Sequence, residues 1–130
     1  MIGADGVLCD LTKTLAGKAA EVSCLVKAGQ DPHGMKLKPS QRAALAKAKL
    51  VLINGYNLTP SLKSASANTS VVSVGELAVP SNPDNDPHIW HDPTQVVAMS
   101  RVVSDKLKTA ADDSAAAGIA ERQSQAAAIL

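Results

Sequence analysis

The sequence predicts an α/β fold, a parallel sheet of βαβ units covered by helices on both faces. Two observations carry that expectation. Short apolar runs alternate along the chain with segments whose apolar residues recur at helical spacing. Strands separated in this way by helices of about ten residues pair in parallel through right-handed crossovers. The run Leu50-Val51-Leu52-Ile53 is also unbroken rather than alternating, the pattern of a strand buried on both faces. With 130 residues, 45% of them hydrophobic and 19% charged, the chain is long enough to bury a core and reads as globular.

In the segment from Leu8 to Ala16, Leu8, Leu11, Thr12 and Leu15 fall on one helical face, and Gly17 stands at the stop position. Val22 to Val26 is a β-branched-rich run ended by Ala28-Gly29. Pro39-Ser40 opens a second helix with Ser40 as its cap and Ala43, Ala44, Leu45 and Ala48 as its apolar face. After Leu50 to Ile53, Asn54-Gly55 makes a turn in which glycine takes positive φ. A short helix is expected from about Thr59 to Ala65, and a strand from Val71 to Val74. Residues 75–92, with Pro80, Pro83 and Pro87, read as one long loop. Asp92 then caps a helix with Pro93 in its first turn, which runs to about Lys108 with Val96, Val97, Val103 and Leu107 toward the core. Asp112-Asp113-Ser114 opens a last Ala-rich helix that is still in progress at Leu130. Its end, Ala126 to Leu130, has no evident partner and is expected to fray or to pack against another copy.

Composition excludes several classes. The net charge is +1 and no run of five Lys or Arg occurs; Lys36, Lys38 and Arg42 are sparse enough to be a solvated face. Tyr56 and Trp90 are the only aromatics, so the stacking platforms of single-stranded nucleic acid binders are missing and no nucleic acid partner is expected. No apolar run approaches the roughly 18 residues of a membrane span. The opening Met1-Ile2-Gly3-Ala4-Asp5-Gly6 has neither a basic nor an apolar signal region. It fits a cytoplasmic chain or one whose export signal has been removed. Cys9 and Cys24 form either a disulfide or two buried thiols.

The chemistry-bearing feature is a pair of tripeptides, Asp31-Pro32-His33 and Asp86-Pro87-His88, in a chain with three histidines. Proline locks its own φ and pushes the preceding residue into extended backbone, so each histidine leaves a stiff turn. Neutral imidazole is the commonest side-chain ligand for transition metals. Both tripeptides follow strand-like runs, which places His33 and His88 at the carboxyl edge of the sheet, where α/β sheets bind ligands. His91 is either an added ligand or solvent-facing. Asp31 and Asp86 fit hydrogen-bonding roles that orient the loops better than direct ligation. Trp90 is expected to pack against the sheet edge and shield the site, and Glu76 to be exposed or to reach the cleft.

In order along the chain stand Gly29-Gln30-Asp31-Pro32-His33, Pro39-Ser40, Ala48-Lys49-Leu50-Val51-Leu52-Ile53-Asn54-Gly55-Tyr56-Asn57-Leu58 and Asp86-Pro87-His88-Ile89-Trp90-His91-Asp92-Pro93. This set resembles the metal-specific solute-binding proteins of zinc and manganese ABC importers, a cluster that includes adhesin lipoproteins. The resemblance implies two α/β lobes joined by a long helix, with Zn²⁺ or Mn²⁺ carried in the cleft. It implies that residues 1–110 are the N-terminal metal-binding lobe and 111–130 the start of the connecting helix, with the C-terminal lobe outside this sequence. His33 and His88 are then the metal ligands of this lobe, and the other lobe supplies a His or Glu and an Asp. The partner is a membrane ABC permease, the location is the periplasm or outer surface, and weak self-association through the C-terminal helix is expected. The role is non-catalytic; the rivals are a small metal-dependent hydrolase and a remnant that no longer binds metal. Gly34-Met35-Lys36 and His91 depart from the family pattern, and the first strand is reduced to Ile2-Gly3-Ala4.

Overall fold

The computed structural model describes residues 1–27, 29–62 and 71–129. The strands β1 (Ile2–Gly3), β2 (Ser23–Cys24), β3 (Val51–Ile53) and β4 (Val71–Ser73) form one sheet in the order β2-β1-β3-β4. Every pairing is parallel, with Gly3 opposite both Cys24 and Leu52, and Leu52 opposite Val72. Strand order reverses between β1 and β3, and a crevice opens at such a switch point beyond the carboxyl ends of the strands. The helices are α1 (Gly6–Ala16), α2 (Pro39–Lys47), α3 (Val74–Ala78), α4 (Pro93–Ala110) and α5 (Ala116–Ile129). Among the described residues no helix is long and apolar enough to cross a membrane.

The unbroken apolar run behaves as its pattern requires. Leu50 and Leu52 join one core with Leu8, Leu15, Met99, Val103, Leu107 and Ile119, the faces of α1, α4 and α5. Val51, from the same strand, joins a second core with Ile2, Leu25, Val26, Met35 and Leu45. Successive side chains of a strand point to opposite faces, so this alternation puts helices on both sides of the sheet. The second face is thinner: Leu45 is the buried residue of α2, and Ala43 and Ala44 are exposed. α2 also begins two residues earlier than a Ser40 cap would place it. Pro39 fits the first helical position because it has no N–H to satisfy, and the Lys38 N–H donates to Gln41 Oε1 at 2.8 Å. Ser40 therefore lies inside the helix instead of capping it.

Other boundaries follow from local chemistry. Asp5 caps α1 by accepting the Leu8 N–H at 2.9 Å, and the helix stops at Gly17, whose φ is 55°. Asp92 caps α4 by accepting the Thr94 N–H at 2.9 Å, with Pro93 first in the helix. The helix expected near Thr59 is a 3₁₀ turn, Pro60–Leu62, and the rest of that segment lies outside the described residues. The segment 75–92 is less of a loop than expected, since it holds most of α3 and the 3₁₀ turn Ile89–His91. Helix propensity did not signal α3 because Gly75 sits in its first turn. A Cβ there would lie 2.3 Å from the Asn54 carbonyl oxygen, so tertiary contact requires the glycine.

Cys9 and Cys24 form a disulfide with Cα atoms 5.3 Å apart. Gly3 makes this approach possible. It pairs with Cys24 in the sheet and lies beneath α1, where a Cβ would stand 2.5 Å from Cys9 Cα. The bond fastens the two-residue edge strand β2 to α1, and β2 leads into the loop that carries His33.

The last helix is docked. Ile119 is fully buried, the Arg122 guanidinium donates to the carbonyls of Leu15 (2.7 Å) and Ala16 (2.9 Å), and Gln123 Nε2 donates to Ser100 Oγ at 3.1 Å. Arg122 thus serves two carbonyls at the end of α1 that the helix itself leaves without partners, and its charge suits that end of the dipole. Ala126 packs on the same core, while Ile129 is 86% exposed. The self-association expected of this helix is not supported by its packing, because Ile119 and Ala126 turn toward its own domain.

Replacing Arg122 by Ala takes the donor from the buried Leu15 carbonyl, while the Ala16 carbonyl keeps the Ala19 N–H at 2.9 Å, and should cost about 1–3 kcal/mol of stability in a urea melt. A loss below the error of the measurement would mean that α5 docks through Ile119 alone. Reducing the disulfide, whose cysteines are 15 residues apart, should cost about 3 kcal/mol. Melts with and without reductant check this, with a Cys9→Ser, Cys24→Ser double variant as reference.

Candidate metal centre

The two tripeptides fold into the same turn. Asp31 Oδ1 accepts the His33 backbone N–H at 3.0 Å and lies 3.1 Å from His33 Nδ1. Asp86 Oδ1 accepts the His88 backbone N–H at 3.0 Å and lies 2.8 Å from His88 Nδ1. An Asp side chain is short enough to reach the amide two residues on, and the proline between holds the backbone at the necessary φ. The His33 and His88 amides, and secondarily their ring nitrogens, hold the Asp31 and Asp86 carboxyls below the usual carboxylate range. An ionised carboxylate only accepts hydrogen bonds, so in neutral imidazole Nδ1 carries the proton. Nε2 is left with a free lone pair in both rings, the arrangement of carboxylate–histidine–metal triads.

The rings come together over the carboxyl edge of the sheet. His33 arrives from beyond β2 and His88 from beyond β4. Their centroids are 5.5 Å apart with the planes tilted by 42°, and the side chains are 45% and 44% exposed. Two imidazoles bound through Nε2 to one tetrahedral zinc ion, with Zn–N near 2.0 Å, place their centroids roughly 5 Å apart. The observed 5.5 Å is close to that spacing. Among the described residues no cluster of three or more His, Cys, Asp or Glu side chains is placed to hold a metal ion.

Both histidines line an open cavity of about 830 Å³ together with Glu76, Tyr56, Asn57 and Asn85. The two readings of Glu76 meet here, since it is exposed and also lines the cavity. Its Oε1 accepts the Tyr56 N–H at 2.8 Å. Gly55, Tyr56 and Asn57 follow one another at φ values of 81°, 50° and 59°. Positive φ was expected for Gly55 alone. For tyrosine it costs about 1–2 kcal/mol, and the conformation is held by Glu76 and by the Tyr56 hydroxyl, which donates to the Val79 carbonyl. The Asn-Gly and Asn57 turn residues are the sequence signal for this loop; its bracing by Glu76 has none.

Trp90 stands edge-on to His88 at 5.2 Å and contacts His91 at 5.6 Å. The half-buried indole thus lies against the flank of the His88 ring. His91 meets Trp90 and does not line the cavity that His33 and His88 share.

Comparison with known proteins gives the chain its relatives. It is 32% identical over 108 residues to the manganese-binding lipoprotein MntA of Halalkalibacterium halodurans, covering 78% of this chain and 36% of that protein. It is 34% identical over 58 residues to the manganese ABC transporter substrate-binding lipoprotein PsaA of Streptococcus pneumoniae, covering 45% of this chain and 19% of that protein. In fold it is similar to the periplasmic zinc-binding protein TroA of Treponema pallidum, with a TM-score of 0.86 at 21% identity. That match covers 97% of this chain and 49% of TroA. The Mn-bound periplasmic metal-binding protein of Candidatus Liberibacter asiaticus matches with a TM-score of 0.84 at 21% identity, over 97% of this chain and 50% of that one. The chain thus spans about half of these solved structures and 36% and 19% of these curated relatives. The family model for ZnuA, the periplasmic component A of zinc-uptake complexes, matches residues 5–129, and the chain belongs to that family.

Proposed function

We propose that this chain is a metal-capturing lobe of a solute-binding protein that delivers Zn²⁺ or Mn²⁺ to a membrane ABC permease, in the periplasm or at the outer surface. The observation that carries the reading is the repeated turn in which Asp31 and Asp86 fix the tautomer of His33 and His88. Both Nε2 lone pairs are thereby kept for one ion. The role is binding rather than catalysis, as the relatives named for metal binding and transport support.

Capture needs no bond-making beyond coordination. The ion exchanges part of its water shell for two neutral nitrogens, and each ring is braced from behind by a carboxylate. Its remaining positions stay open to water or to ligands from outside residues 1–110. Two nitrogens alone favour zinc over manganese, following the general affinity order of the divalent metals. Oxygen donors from elsewhere in a longer chain would shift that preference toward manganese.

Isothermal titration of the chain with Zn²⁺ should show binding that weakens as pH falls, because protons compete for the imidazole nitrogens. His33→Ala or His88→Ala should remove most of it, and Asp31→Asn or Asp86→Asn should weaken it by about 10- to 100-fold. Undiminished binding in the double His→Ala variant contradicts the ligand assignment. Manganese should bind more weakly than zinc in the same cell.

The turns themselves have an acid limit. A carboxyl whose folded pKa is lowered stabilises the structure fully above its unfolded value, about 3.9 for Asp. That contribution is lost as pH falls through the lowered folded value. Carbon-13 NMR titration should therefore place the Asp31 and Asp86 midpoints below about 3.9. Midpoints at or above that value would mean that the turns do not persist in solution.

A further inference from the structure

The two Asp-Pro-His turns are built alike but anchored differently. Among the described residues, the hydrogen bonds of the 31–33 turn are internal, from the His33 backbone and ring to Asp31. The 86–88 turn is also gripped from the sheet. Asn54, fully buried at the end of β3, donates through Nδ2 to the Pro87 carbonyl at 2.8 Å across 33 residues of sequence. That carbonyl belongs to the peptide that enters His88; it also accepts the Ile89 N–H at 2.9 Å, and Asn82 Nδ2 donates to the neighbouring Asp86 carbonyl at 2.8 Å, so Asn54 is the contact that ties this turn to the buried end of β3.

Asn54 is itself tightly set. Its backbone carbonyl accepts the Gly75 N–H at 2.8 Å. A Cβ on Gly75 would lie 2.3 Å from that oxygen and 2.8 Å from Ile89 Cδ1, so β3, α3 and the turn after His88 meet around this one residue. Its side-chain oxygen, Oδ1, is buried without a hydrogen-bond partner. A buried orphan acceptor is costly, and an apolar side chain of similar volume would avoid the cost. What an apolar side chain could not supply is an Nδ2 donor that reaches both the Gly55 carbonyl at 3.2 Å and the Pro87 carbonyl, and so links the end of β3 to the turn before His88.

We infer that Asn54 is the positioning residue of His88, an inference that rests on reading His33 and His88 as metal ligands. By fixing the Pro87–His88 peptide, Asn54 sets the direction from which the His88 ring leaves the backbone. The ligand pair is then asymmetric. His88 is held at a fixed vertex by the sheet, and His33, on a turn with internal bonds only, adjusts to the ion.

The test is Asn54→Asp, which keeps the shape and removes the Nδ2 donor. Long-range ¹H–¹⁵N NMR of the ring nitrogens, recorded without metal at about pH 8, where histidines are ordinarily neutral, should show the His88 signals changed and those of His33 retained. Zinc affinity in titration calorimetry should fall by about 10- to 100-fold. Equal disturbance of both rings, or of neither, overturns the positioning role, since a general loosening would not choose between them. His33→Ala is titrated alongside. Unchanged zinc affinity there overturns the ligand reading, and the NMR result still decides the positioning claim without metal. A loss in His33→Ala with none in Asn54→Asp overturns the positioning claim alone. Should Asn54→Asp not fold, Asn54→Ser is read in the same way. Failure of both to fold would assign Asn54 to the core and overturn the proposal.

Discussion

A carboxylate oxygen that accepts two N–H groups of the same histidine, one from the backbone and one from the ring, governs this site. The backbone contact closes the turn, and the ring contact selects the tautomer. The proline between favours the extended backbone from which the short Asp side chain reaches forward. Asp31 with His33 and Asp86 with His88 repeat the arrangement at nearly the same distances. The chemistry of the cavity follows from it. Two nitrogen lone pairs are reserved and braced by negative charge, and the ring spacing suits one ion.

The sheet brings the two turns together. Parallel strands send all their following loops to one edge, and the order β2-β1-β3-β4 places the strand order reversal beneath the cavity. The edge strand β2 is only two residues long, and it is secured by the disulfide to α1 above the close approach at Gly3. The sheet face that carries α1 has the heavier foundation. There α1, α4 and α5 share a core, and Arg122 ties the last helix to the end of the first. His88, whose neighbour Ile89 joins that core, is also the one whose turn is gripped by the buried Asn54 at the end of β3.

Much of this was legible in the sequence because it depends on local chemistry. Leu50 to Ile53 had to be buried on both faces, Asp92-Pro93 had to open a helix, Gly17 had to end one, and each Asp-Pro-His had to be a stiff turn. What was hidden depends on partners far away in the chain. α3 starts across a glycine demanded by the Asn54 carbonyl. Tyr56 is kept at positive φ by Glu76, 20 residues on. α5 docks through an arginine that reaches carbonyls 106 and 107 residues away. The cysteine spacing left the disulfide open because the pairing is set by sheet register, Gly3 opposite Cys24, which spacing does not contain.

The central claim is that His33 and His88 hold one ion between their Nε2 atoms while Nδ1 stays on the carboxylates. The most direct test is an anomalous-difference map at the zinc edge from crystals of the chain grown with Zn²⁺. The account predicts one zinc peak about 2.0–2.1 Å from Nε2 of both rings, with the Asp31 and Asp86 turns intact behind them. A zinc bound through Nδ1, or one that engages His91 and leaves His33 or His88 free, would contradict it.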